Sequence, residues 1–85
     1  RESLSSAPNP VIDRCTLSYS LTYDETLSIF VLNAQGVLVK TIAENVAQTI
    51  GDYTYSFSLS DFTPGVYTLM LEGNEVNHAI KIVKE

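Results

Sequence analysis

A strand that buries one face and wets the other shows apolar side chains at every second residue, and this chain does so repeatedly. Tyr53, Tyr55, Phe57 and Leu59 alternate with Asp52, Thr54, Ser56 and Ser58. Cys15, Leu17, Tyr19 and Leu21 alternate in the same way with Thr16, Ser18, Ser20 and Thr22. No window keeps a helical apolar spacing better than the two-residue one, so the sequence predicts no helix of useful length. What the chain can become is restricted to sheets with one covered face.

The remaining segments fit between turn signals. Leu27 to Leu32, "LSIFVL", is apolar on both parities after Ser28 and suits a central strand covered on both sides at its far end. Asn33 to Gly36, "NAQG", is a hairpin signal, which makes Val37 to Ile42 the partner strand and Ala43 to Gly51 a longer connection. In "DFTPGVYTLML", Pro64 presets the first central position of a turn, Gly65 takes positive φ, and Val66 to Leu71 follows as a strand. "EGNE", Glu72 to Glu75, is another tight reversal, after which Asn77 to Val83 forms the last strand. About six or seven short strands spaced by turns predict an all-β fold, an immunoglobulin-like antiparallel β-sandwich. Its 85 residues suit one small domain, expected over 8–85. The small, polar run Arg1, Glu2, Ser3, Leu4, Ser5, Ser6 and Ala7 reads as a flexible leader. A chain without an initiating methionine or signal-peptide pattern reads as part of something longer.

Chemistry is harder to find. Ten acidic and five scattered basic residues give a net charge of −5, which repels a phosphate backbone and argues against nucleic acid and anionic lipid as partners. No apolar run approaches the roughly 20 residues of a membrane-spanning helix, so direct insertion is not expected. Cys15 stands alone on an apolar parity and reads as a buried residue. His78, the one histidine, reads as a solvated residue at a strand start. Asp24 and Glu25 read as a solvated turn. The sequence offers no metal-ligand spacing, no phosphate-binding glycine loop and no nucleophile elbow; no cofactor and no enzyme activity are expected.

Taken in order, "APNPV" (Ala7 to Val11), "LSYSL" (Leu17 to Leu21), "LSIFVLNAQGVLV" (Leu27 to Val39), "FSLSDFTPGVYTLML" (Phe57 to Leu71) and "AIKIVKE" (Ala79 to Glu85) resemble the type A C-terminal sorting domain of the type IX secretion system, or Por secretion system. Asn33 stands where that family often has aspartate, Thr68 where an aromatic is frequent, and Glu85 follows Lys84 where many members finish on a basic residue.

The resemblance implies a folded secretion signal of Gram-negative bacteria. It would direct an N-terminal passenger from the periplasm through the outer-membrane translocon to the cell surface and then be removed by a sortase. The alternative is a structural or adhesive sandwich module retained on a secreted protein. The positions expected to carry recognition are Pro8, Asn9 and Pro10 at the entrance; Gly36 in the hairpin; Gly65, Val66 and Tyr67 after the turn; and Ile80, Lys81, Ile82, Val83 and Lys84 in the last strand. Processing is expected in or just upstream of Arg1 to Ala7. The last strand is expected to leave a free backbone edge, through which a partner strand or a second copy could pair to form a dimer.

Overall fold

The computed structural model describes residues 3–8 and 10–85; Arg1, Glu2 and Asn9 lie outside the described residues. Seven strands follow one another: β1 (Ser3–Ala7), β2 (Arg14–Leu21), β3 (Glu25–Leu32), β4 (Leu38–Gln48), β5 (Gly51–Ser58), β6 (Gly65–Glu72) and β7 (Asn77–Lys84). They form a three-stranded sheet of order β1-β2-β5 and a four-stranded sheet of order β4-β3-β6-β7, antiparallel throughout. No helix occurs among the described residues. The expected all-β sandwich is therefore what forms.

The alternation sets the layers. Cys15, Leu17, Tyr19 and Leu21 of β2 face Leu27, Ile29 and Val31 of β3 and Tyr67, Leu69 and Leu71 of β6 across a dry core that Phe57, Leu59, Val76 and Ile82 complete. Each of these side chains is almost or wholly removed from water, and burial of this kind contributes about 1.5–3 kcal/mol for a large aliphatic residue. On the outer parity of β2 and β5, hydroxyls meet across the strands: Thr16 and Ser56 lie 3.0 Å apart, and Ser20 donates to Asp52 at 2.6 Å.

Four local expectations need correction. The run Ser3 to Ala7 is not a flexible leader: it pairs with β2 from Ser3↔Ser20 to Ala7↔Thr16, and Leu4 packs against the core. A single apolar residue among serines hides the alternation, but the ladder and Leu4 suffice to hold the strand. Beyond Ile42 the chain does not become a connection, because β4 continues to Gln48. Its pairing with β3 shifts register three times, and Asn45 sits at φ 50° with its N–H on Ser28 Oγ at 3.0 Å. Bulges of this kind break the two-residue period, which is why the second half did not read as strand.

β3 is central, but only its inner face is fully covered; Phe30 and Leu32 on the outer parity are half-buried. Glu25, finally, is no solvated turn residue. It is 4% exposed, and its carboxylate accepts the N–H groups of Asn74 and Glu75 at 2.7 and 3.1 Å, clamping the β6–β7 hairpin.

Candidate functional site

The last two strands pair without interruption from Glu72↔Asn77 to Gly65↔Lys84. This register brings Val66 opposite Val83 and Tyr67 opposite Ile82. Leu32 lies opposite Thr68, so the hairpin that follows β3 projects beyond the same end. Val11 bridges Lys84 in parallel, which draws the segment after Pro10 to that end as well. Pro10, Gly36, Gly65, Val66, Tyr67, Val83 and Lys84, far apart in the chain, are thereby gathered at one end of the sandwich. Ile80 and Lys81 lie further along β7, opposite Leu69 and Thr68. Pro8 is exposed just after β1, and Asn9 is outside the described residues.

The parts of this end differ in what they do. The hairpin loop is closed by Asn33: its N–H donates to Val37 O and its carbonyl accepts from Gly36, each at 2.9 Å, while its side-chain oxygen accepts from Gln35 and Val37. Gly36 sits there at φ 83°. The second reversal differs from expectation. The hydrogen-bonded turn is Leu59 to Phe62, with Phe62 N–H donating to Leu59 O at 3.0 Å, and Gly65 is the first residue of β6 at φ 154°. That φ is one a side chain rarely adopts, although the space around Gly65 is open. Positive φ, not crowding, explains glycine here.

Tyr67 is buried, and its hydroxyl donates to Thr63 O at 2.6 Å. Its ring meets that of Phe62 at a centroid distance of 5.1 Å. Tyr67 therefore holds the loop before β6 from inside and reaches the surface only along the groove beside that loop. Beside that loop lies an open groove of about 540 Å³ whose walls include Gln35, Val39, Asp61, Phe62 and Val66. Asp61 is the charged residue among those lining it.

Exposed apolar side chains stand here among polar ones such as Gln35, Asp61 and Thr63. Val66 is 43% exposed and Val83 40%, and they form a cross-strand pair; Val37, Leu38 and Val39 are exposed too, Val39 in the same groove as Val66, and Ile12, next to the Val11 bridge, is 72% exposed. Sequence reasoning missed Ile12 and Val37 to Val39. The run "GVLV" is apolar on both parities, a signal that one face must remain uncovered when the strand lies at an edge.

The terminal strand also departs from expectation. Val11 N–H donates to Val83 O at 2.7 Å and Val11 O accepts Glu85 N–H at 2.8 Å, so the end of β7 has no free edge. Lys84, on the same parity as Ile80 and Ile82, is 8% exposed and donates to Glu85 O at 3.0 Å. Lys81 is exposed, and Ile82 is fully buried.

At the other end, Tyr19 stacks on Tyr53 and Tyr55 at 5.5 and 6.3 Å and donates to Gln48 Oε1 at 2.5 Å, while Gln48 Nε2 donates to Tyr55 at 2.9 Å. Burial, reinforced by Tyr55, pushes the Tyr19 hydroxyl well above its ordinary value. Among the described residues no group of His, Cys, Asp and Glu is placed to hold a metal ion. Cys15 is fully buried and His78 half-buried.

The model of one known family, described as a secretion system C-terminal sorting domain, matches residues 7–85. No curated protein matches the chain.

Proposed function

Because the chain belongs to the secretion system C-terminal sorting domain family of type IX secretion, we propose that the apolar end of its sandwich is the surface the export machinery reads. The domain is a sorting signal for a protein exported to the cell surface or beyond; the proposal is that signal and passenger cross the periplasm of a Gram-negative cell together. The strand order, with three strands facing four, supports an immunoglobulin-like reading. The observation that carries the proposal is the convergence of residues from four separated segments on one end, where Val66 and Val83 lie exposed side by side. A soluble domain gains nothing in stability by exposing Val66 and Val83 side by side, and contiguous exposed apolar surface marks interaction sites.

On this reading Val66, Val83 and the neighbouring hairpin make contact, while Gly65 and Tyr67 fix the loop that shapes the groove. Removal by a sortase then requires an accessible bond. Peptide bonds held in a strand are poor protease substrates, so processing falls upstream of Ser3 unless β1 first peels away.

The test is a fusion of this domain behind a periplasmic reporter in a host with the type IX apparatus. Export of the parent fusion is expected, with the domain absent from the released product. Val66→Glu and Val83→Glu, changed at exposed positions, should keep the parent circular dichroism and melting temperature yet leave the reporter in the periplasm. Normal export of both variants would remove the apolar end from the reading. Failure of the parent fusion itself would favour an adhesive module.

A further inference from the structure

β1 is held less firmly than the strand it pairs with. It lies at an edge of its sheet with β2 as its one neighbour there, and Leu4, half-buried, is its one large apolar side chain packed against the core. β2, by contrast, buries Cys15, Leu17, Tyr19 and Leu21. A short ladder with one large apolar contact opens at far less cost than the whole domain.

The chain that follows is fastened separately. Val11 is wholly buried and bonded to Val83 and Glu85 at the end of β7, and Asp13 O accepts the N–H of Leu59 at 2.7 Å. Between the two fastenings stand Pro8 and Pro10, both exposed. Neither has an N–H to give to a ladder, and each ring fixes its φ, so few bonds are left to turn and the joint is a stiff hinge. The region shared with the family begins at Ala7, which leaves Ser3 to Ser6 outside it.

We propose that Ser3–Ala7 is a hinged strap: it leaves β2 as a unit, turning about Pro8 and Pro10 while the sandwich from Val11 onward stays folded, and its bonds are open to proteolysis only in that state. Closed, its backbone is engaged in the ladder with β2. Open, it offers about 17 Å of extended chain. Leu4 and Ser6 lie opposite Tyr19 and Leu17, and covering those two side chains again is what recloses it. For a removable signal, excision then waits on the strap. That consequence rests on the export reading, whereas the strap itself does not.

Limited proteolysis of this chain with subtilisin reads the open state directly, because cleavage that is slow relative to reclosing follows the equilibrium population of the open form. Cuts within Ser3–Ala7, identified by mass, should show a urea dependence roughly a quarter or less of that of global unfolding, since the slope follows the surface exposed. Leu4→Ser should speed them at least about fivefold with the slope unchanged. Ser5 lies directly opposite Ser18, within the span of a disulfide, and Cys15 is wholly buried on the inner face. The oxidised double variant Ser5→Cys, Ser18→Cys should slow the cuts at least about tenfold, and reduction should bring the rate back. A slope as steep as that of global unfolding overturns the proposal. So does a rate indifferent to the lock, or one indifferent to Leu4→Ser. A reporter fusion that is not exported would sink the export reading and leave these rates as they are.

Discussion

Glu25 shows how much of this fold depends on single side chains that the sequence does not advertise. Its carboxylate reaches the N–H groups of Asn74 and Glu75 across about fifty residues of chain, and the approach is so close that a Cβ on Gly73 would lie 2.6 Å from Glu25 Oε1. Charge-assisted hydrogen bonds to backbone N–H groups contribute about 1.5–3 kcal/mol. We expect Glu25→Ala to destabilise by about 2 kcal/mol or more, and Gly73→Ala by about 1–3 kcal/mol through displacement of the carboxylate and of Val76, whose Cγ1 a Cβ would meet at 2.9 Å. Because they share the contact with the carboxylate, the double substitution should cost less than the two costs added, with the clash against Val76 remaining. Urea unfolding of the three variants checks this: a negligible cost of Glu25→Ala would mean that the clamp carries little energy, and simple additivity that Gly73→Ala acts through Val76. Read locally, "YDET" is a polar turn, and "EGNE" shows a reversal but not what anchors it. The contact is long-range, and a linear pattern holds no trace of it.

At the scale of elements, legibility followed regularity. β2, β5 and β6 alternate cleanly and were readable almost to their ends. β4 was half readable because bulges shift its parity, and β1 was unreadable because five mostly polar residues do not show a period. The terminal strand was found where expected, but its role at the sheet edge was not, since the Val11 bridge comes from a segment whose prolines suggest only an entrance. That bridge changes what truncation does. Removing Lys84 and Glu85 takes away a buried side chain and the Glu85 N–H that bonds Val11 O. We therefore expect the deletion to lower stability by about 1–3 kcal/mol. Thermal unfolding measures it directly, and an unchanged melting temperature would show that the bridge is dispensable. Export assays on truncated domains then need a folding control.

For the whole molecule, the sequence carried the class of fold and the family's motifs in order, but not the way those motifs assemble at one end. That assembly depends on strand register, which alternation alone fixes only to within the choice of face. The same global view gives the pH response. Folding buries the Tyr19 hydroxyl and raises its proton affinity, so the folded state holds that proton more tightly than the unfolded chain. The stabilisation is complete below about pH 10, the ordinary tyrosine value, and is lost as pH rises beyond it. Urea midpoints should be level up to about pH 9.5 and fall above it, and the fall should be shallower in Tyr19→Phe. An equally steep fall in that variant would assign the alkaline limit to other groups.

β1 enters the sandwich at Ser3, beside Ser20, whereas β7 finishes at Lys84, beside Gly65. These points are at opposite ends of a body 35 Å long. A protein joined on the Ser3 side therefore hangs from the end away from the apolar surface, and if that surface is the one read, the domain stands as a spacer between cargo and receptor. Traction between the two ends runs along the strands. It loads the five pairs joining β1 to β2 together in shear rather than peeling them one at a time, so the attachment is arranged to resist being pulled.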